Sequence, residues 1–294
     1  MISLKQINQQ YVKAIPIPDE DKPPIKGYDI CEIIYANKFL CAKKHSGKTS
    51  ALFKIIKECA VKKTVIIVFC STIYKDSNWI EIRKYFEEKG MDMRVFTSIF
   101  EDGEDQINKL INELNEEAKE KEGIKEDKEA VEEHPIDKCD DILDRLANMQ
   151  LCAVPHNEAE EEVITKKSKS KKKCKYQAPE YIIIFDDLSS ELKSQSLLTL
   201  LKKNRHFKTK LIISSQWVHD LLPESRKQLD LFMIFKGFPD AKLSEIYKDC
   251  DSGIPFETFC KIYKKATKHP FSFMYINTRS DSYRKNFSEQ FILH

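Results

Sequence analysis

Gly47 is one of only seven glycines in 294 residues, and it stands directly before Lys48 and Thr49 in the stretch FLCAKKHSGKTSALF (residues 39–53). An apolar stretch, YDICEIIYANKFLCA, precedes the loop and predicts a strand region that closes near Ala42. Beyond the loop, Leu52, Ile55, Ile56 and Cys59 recur at helical spacing and predict a helix from Lys48 to about Val61. A strand that passes into a helix through [A/G]-x4-G-K-T commits this part of the chain to a βα unit with an anion-holding loop. We therefore expect a phosphate-binding loop made of Ala42, Lys43, Lys44, His45, Ser46, Gly47, Lys48, Thr49 and Ser50. Loop amides and the helix N-terminus cradle phosphate oxygens. Gly47 lets the backbone approach, Lys48 reaches the β- and γ-phosphates of ATP, and the Thr49 hydroxyl ligates Mg2+. Lys43 and Lys44 add positive charge, and His45 is read as exposed and non-catalytic. The competing reading is an ordinary strand–turn–helix that happens to carry Gly-Lys-Thr.

A second motif weighs against coincidence. YIIIFDD (181–187) is a buried strand that exits into two adjacent carboxylates. Asp186 would hold Mg2+ directly or through water, and Asp187 would polarise the attacking water. KLIISSQ (210–216) is a further strand, and Gln216 at its tip is a candidate to sense the γ-phosphate or to position water. Ser214 and Ser215 read as ordinary strand-end hydroxyls.

Around these motifs, strands alternate with helices. TVIIVFC (64–70), MRVFTSIF, LFMIFKGF (231–238) and FSFMYINT (271–278) read as strands. NWIEIRKYFEEKG reads as a helix closed by Gly90. DQINKLINELNEEAKEK, SSELKSQSLLTLLKKNRHF (with SSEL as its N-terminal cap), DAKLSEIYKDC and PFETFCKIYKKA read as helices. The economical fold is α/β, a P-loop NTPase of the RecA/ASCE kind whose mainly parallel central sheet carries helices on both faces. We expect one domain over 1–294, a charged and largely disordered insertion at 121–178, and 239–294 as a helical and strand extension of the same domain.

Charge is unevenly distributed. Residues 101–163 hold 22 acidic and 7 basic side chains, a net −15, which leaves the rest of the chain at +17. A basic body suits a polyanionic partner, although a solvated lysine-rich surface has the same composition. Seven lysines fall within residues 166–175, a run that fits either a nucleic-acid contact or solvated low complexity. The nine cysteines are scattered with no CxxC pair, so the zinc signature is missing and a reducing compartment is expected. The apolar runs are too short to span a bilayer, and the N-terminus lacks the apolar core of a signal peptide.

The order P-loop, IIIFDD, KKNRHFKTKLIISSQ, LLPESRKQLDLFMIF resembles the FtsK–HerA-type DNA-packaging ATPases of poxviruses, other large DNA viruses, virophages and Maverick/Polinton elements. The resemblance covers most of residues 30–238, interrupted by the insertion, and extends to FCSTIYKDSNW after the second strand. It implies an ATP hydrolase that works as a homo-oligomeric ring and drives double-stranded DNA into a capsid at an intracellular assembly site. It also implies an arginine supplied in trans, for which Arg205 and Arg226 are unranked candidates. Two features depart from the family: the acid pair is Asp-Asp, and the last 55 residues carry no assignable motif. Alternatives are another P-loop enzyme or a non-catalytic nucleotide-binding scaffold. A nucleotide kinase would show an arginine-rich lid, yet 121–178 holds the single Arg145. A helicase would usually need a second RecA-like domain. A scaffold would be favoured by a broken motif, yet Lys48, Thr49, Asp186 and Asp187 are all present.

Overall fold

The structure is a computed structural model, and it describes residues 24–122 and 176–293. The lysine run and most of the expected insertion lie outside the described residues. The elements, in chain order, begin with β1 (Asn37–Cys41), α1 (Lys48–Cys59), β2 (Val65–Cys70), α2 (Ser77–Glu88) and β3 (Met93–Phe96). There follow a small hairpin, β4 (Phe100–Glu101) and β5 (Glu104–Asp105), and then α3 (Gln106–Glu122). After the undescribed segment come β6 (Tyr181–Asp186), α4 (Gln195–Lys203), β7 (Thr209–Ser215), a 3-10 turn at Val218–Asp220, α5 (Pro223–Arg226) and β8 (Leu231–Phe235). The chain closes with α6 (Asp240–Asp249), α7 (Phe256–Ala266), β9 (Phe273–Asn277), β10 (Ser282–Lys285) and β11 (Glu289–Gln290).

Nine strands form one sheet in the order β11-β10-β9-β8-β1-β7-β6-β2-β3. From β8 to β3 every pairing is parallel. Strand β1, which leads into the Gly47 loop, is thus separated from the acid-pair strand β6 by β7, which ends at Ser215 just before Gln216. The sheet is mainly parallel, as expected, and at one edge β8–β9, β9–β10 and β10–β11 are all antiparallel. FSFMYINT is apolar at successive positions, and such a run marks burial on both faces without fixing strand direction.

Two apolar layers cover the sheet. On one face, α3, α4, α6 and α7 pack through residues such as Ile107, Leu197, Ile246 and Phe259. On the other, α1 and α2 pack through Leu52, Ile55, Trp79 and Phe86, joined by Ile30 and Cys31 from the N-terminal segment. Phe69 stacks on Phe96 at 4.7 Å and on Phe185 at 4.9 Å, so one aromatic ladder crosses β3, β2 and β6. Local signals place several boundaries. Asp76 caps α2 by accepting from the Asn78 amide at 2.8 Å, and Gly90, with φ of 61°, closes it as expected. The SSEL cap expected for α4 is displaced: Ser194 is the capping residue, accepting from the Leu197 amide. Glu191 instead reaches the β3–β4 connection, accepting from the Ile99 amide at 2.6 Å and the Ser98 hydroxyl at 2.7 Å. A carboxylate engaged in two such bonds is not free to cap a helix.

Two lysines are fully buried, Lys38 on β1 and Lys210 on β7. Both point to the α1/α2 face beneath the N-terminal segment. Lys210 Nζ donates to the Ile33 carbonyl at 2.7 Å and lies 2.8 Å from Cys31 Sγ, while Lys38 Nζ donates to the Ile30 carbonyl at 3.3 Å. Glu32 ties the same segment to the far edge by accepting from Tyr275 and Asn277, each at 2.7 Å. Burial raises the Cys31 thiol's pKa, but Lys210 and Lys38 outweigh burial and bring it below its ordinary value. Burial, with the Lys210 charge behind it, holds Lys38 below its ordinary value. Both groups bind fewer protons when folded than when unfolded, so both make stability rise with pH, Lys38 up to the unfolded amine's pKa of about 10.4 and Cys31 up to the unfolded thiol's pKa of about 8.5. Cys59, raised by burial, works the other way only above that value. Urea midpoints measured between pH 6 and 8.5 are expected to rise less in Cys31→Ala than in the parent. Identical slopes would show that Cys31 carries no charge in the fold.

Candidate functional site

All the parallel strands end at one edge of the sheet, and the loops leaving that edge enclose a cavity of about 550 Å3. Its walls include Ala42, Lys44, His45, Ser46 and Gly47 from the β1–α1 loop, Lys48, Thr49 and Ser50 from the start of α1, Thr72 and Lys75 from the β2–α2 connection, Asn78 from α2, and Asp187 and Gln216 just past the ends of β6 and β7. Most of the residues singled out in the sequence thus converge on one space. Gly47 has φ of 89°, a left-handed conformation that glycine adopts without steric cost, and it opens α1 with no side-chain cap. The first amides of α1 are therefore left to an external acceptor. His45 is also left-handed, with φ of 59°, and is exposed. Lys43 turns away: its ammonium lies 5.7 Å from the Phe238 ring centre, and it does not line the cavity.

Lys48 spans the acid pair. Its Nζ lies 2.9 Å from Asp186 Oδ1 and bonds Asp187 Oδ1. Burial lowers the Lys48 pKa, but Asp186 and Asp187 outweigh it and raise the value above normal, so the side chain stays cationic. Asp186 is 1% exposed and Asp187 is open to the cavity. Asp187 sits in the left-handed region at φ of 55°, which aspartate tolerates better than most residues. Asp186 Oδ2 accepts from the indole Nε1 of Trp79 at 3.1 Å. Its Oδ1 is buried without a well-directed hydrogen bond, as is the Ser46 hydroxyl. With the Thr49 hydroxyl at the loop, these are hard oxygen donors of the kind Mg2+ takes, and a buried carboxylate oxygen whose cationic partner is the flexible Lys48 side chain fits such an ion.

The sequence reading did not single out Trp79. It lies in SNW, within the FCSTIYKDSNW segment noted for its resemblance, so a signal was present but not its chemistry. Burial raises the pKa of Cys70, paired with Asp186 across β2–β6, to about 11, so this thiol stays neutral beside the carboxylate. Phe271 also escaped notice: a Cβ on Gly47 would stand 3.2 Å from its ring.

The two arginines are placed elsewhere. Arg205 follows α4 and precedes β7, and Arg226 ends α5 ahead of β8. Both lie toward the edge where the parallel strands begin, opposite Lys48, and neither lines the cavity. Arg205 is exposed, whereas Arg226 pairs with Asp249 at 3.0 Å.

No family model matches the chain, and no curated protein matches it. Among solved structures, it is similar to the genome packaging NTPase B204 from Sulfolobus turreted icosahedral virus 2 in complex with AMP. The two are 15% identical with a TM-score of 0.48, over 88% of this chain and 98% of that one. It is also similar to the pCW3 conjugation coupling protein TcpA, at 11% identity and a TM-score of 0.42 over 82% of this chain and 57% of that one. A third is EssC (ATPases 2 and 3) from Geobacillus thermodenitrificans, at 12% identity and a TM-score of 0.40 over 72% and 34% respectively.

The Trp79–Asp186 bond yields a stability prediction. Trp79→Phe keeps most of the buried ring but removes the donor to a charged acceptor, which costs roughly 1.5–3 kcal/mol. Urea unfolding of Trp79→Phe checks this, and an unchanged midpoint would show that the indole N–H contributes nothing.

Proposed function

We propose that this chain is an ATP hydrolase that translocates double-stranded DNA, and that its task is packaging DNA into a capsid. The single observation that carries the nucleotide part is Lys48, at the start of α1, held against both carboxylates that end β6. This juxtaposition leaves one cation poised between a phosphate-binding loop and a metal-binding acid. In this reading the free amides of α1 and the loop take the phosphates, and the Lys48 ammonium moves from the acid pair onto the β- and γ-phosphates. Thr49 and Asp186 would hold Mg2+, which when bound would neutralise charge on the transferring phosphoryl group. Trp79 holds Asp186 in place through Oδ2. Asp187 takes a proton from the attacking water, and Gln216 senses the γ-phosphate. The DNA part rests on the sequence resemblance and on the +17 charge outside residues 101–163. No helix among the described residues is long and apolar enough to cross a membrane.

The test is an ATPase assay with and without duplex DNA. Turnover is expected to rise with duplex DNA, and binding to fall steeply with salt as counterions are released. Lys48→Ala is expected to lose MgATP binding and turnover together. Asp187→Asn is expected to bind ATP but turn over about 100-fold slower, the lower end for loss of a general base. Wild-type turnover in Asp187→Asn would remove the proposed role of Asp187. Tight ATP binding by Lys48→Ala would remove the proposed role of Lys48, and no MgATP binding by the parent would remove the nucleotide reading.

The resemblance further implies a ring in which Arg205 or Arg226 reaches a neighbour's γ-phosphate. Their position away from their own chain's cavity fits a role in trans. For Arg226 that role requires opening its pair with Asp249. A mixture of Arg226→Ala chains with Lys48→Ala chains is expected to regain activity that neither has alone, and the same mixing with Arg205→Ala ranks the two. Failure of both mixtures, with specific activity flat on dilution, would favour a monomeric enzyme.

A further inference from the structure

The phosphate cavity borders a second space that the reading above leaves unused. Thr49 and Ser50 on α1 and Asn78 on α2 line both. The second cavity, of about 340 Å3, runs between α1 and α2 and is walled by Phe53, Ile82 and Tyr85, with Glu81 also lining it. Phe53 meets Tyr85 edge to face at 5.1 Å and Phe86 at 5.9 Å, so the aromatic wall is braced by the core. Phe53 stands about one helical turn, ~5.4 Å, beyond Thr49 and Ser50. A ligand whose phosphates rest on the N-terminus of α1 therefore has its remaining part within reach of this groove.

We propose that the α1–α2 groove is the base subsite: it takes the purine ring of the bound nucleotide against Phe53 and Tyr85, and Glu81 reads the ring's amino group. This proposal rests on the nucleotide reading of the adjoining cavity. Aromatic walls suit a flat π-system, and a two-ring base covers more of them than a one-ring base, so it gains more dispersion contact. The polar rim sets the orientation. Asn78 Nδ2 donates to Asp76 Oδ1 at 3.1 Å, and the Glu81 carboxylate lining the groove brings acceptors only. A carboxylate accepts from the donor edge of a base, and adenine offers its 6-amino group there. A competing platform exists on the other flank of the loop. Phe271, 68% exposed and with φ of 60°, lies against Gly47.

The experiment is equilibrium competition on the full chain with Mg2+, comparing ATP, purine riboside triphosphate (which lacks the amino group) and inorganic tripolyphosphate. Tyr85→Ala is expected to weaken ATP about tenfold, the scale of one lost base–aromatic contact, and to leave tripolyphosphate unchanged. Glu81→Ala is expected to abolish the preference for ATP over purine riboside triphosphate that the parent shows. Tyr85→Leu, which keeps apolar volume, replaces Tyr85→Ala if the latter fails to fold. Equal weakening of ATP and tripolyphosphate would make Tyr85 merely structural and overturn the proposal. So would unchanged ATP affinity in both the Tyr85 and Glu81 variants, and a loss confined to Phe271→Ala would move the base to the other flank. In each of these cases tripolyphosphate still binds through Lys48, and the nucleotide reading survives. No MgATP binding by the parent would instead defeat that reading itself.

Discussion

The contact between Lys48 and the acid pair governs the site end of the molecule. Asp186 is almost wholly buried, and a buried carboxylate is tolerated only with charge or hydrogen-bond partners. Lys48 supplies the charge and Trp79 the hydrogen bond, from two different βα connections. For both to reach Asp186, β1, β7, β6 and β2 must end at the same level, which their parallel registers provide. The pair of charges therefore depends on the sheet, and the ends of the strands are in turn held together by it. Removing one partner would leave the other buried and uncompensated, a costlier change than the loss of one surface ion pair.

Polar groups organise the opposite end of the strands as well. Asn37 at the start of β1 donates from its side chain to Leu201 at 3.0 Å and Gln228 at 2.8 Å, and its amide donates to Asp230. Lys38 and Lys210 reach into the layer beneath residues 30–33, where carbonyls and Cys31 receive them. An N-terminal segment with few strand residues is thus fixed by specific polar contacts rather than by apolar area alone. A hydrophobic strand pattern does not announce such lysines, because alternation treats Lys38 and Lys210 as exposed positions. Only the tertiary cover over them makes them interior.

Much of the parallel half of the sheet was legible because its strands are continuous β-branched or aromatic runs, VIIVFC and YIIIFD among them, separated by amphipathic helices. The β1–α1 loop was legible because glycine is scarce here and Gly47 falls at a strand-to-helix junction. The antiparallel edge was not. Strands β10 and β11 are four and two residues long, too short for periodicity to register, and β9 looks like any doubly buried strand. The displaced cap of α4 shows a local rule overridden by a distant one, since Glu191 serves Ser98 and Ile99 across 92 residues. Trp79 was invisible for a different reason. Its role depends on the indole meeting a carboxylate 107 positions away, and helical spacing explains its burial without reference to that contact.

The cations around the cavity bear on why a neighbouring chain would matter. Lys44, Lys48 and Lys75 line it, and no arginine does so among the described residues. Lysine is a point charge on a flexible stem, whereas guanidinium offers a planar fork that can grip two oxygens of a transferring phosphoryl group. Lys48 is moreover shared with two carboxylates, which offset part of the charge it brings to a phosphate. On the proposed reading, the γ-phosphate end of the site lacks a bidentate cation from its own chain. Arg205 is exposed on the far side of the sheet, and Arg226 is engaged with Asp249, so neither can turn inward to fill that position. A second copy presenting its strand-start edge to this strand-end edge is head-to-tail, a contact that closes into a ring when the rotation between copies permits. On that reading, arginines at one edge and the Gly47 loop at the other fit a site shared between consecutive subunits.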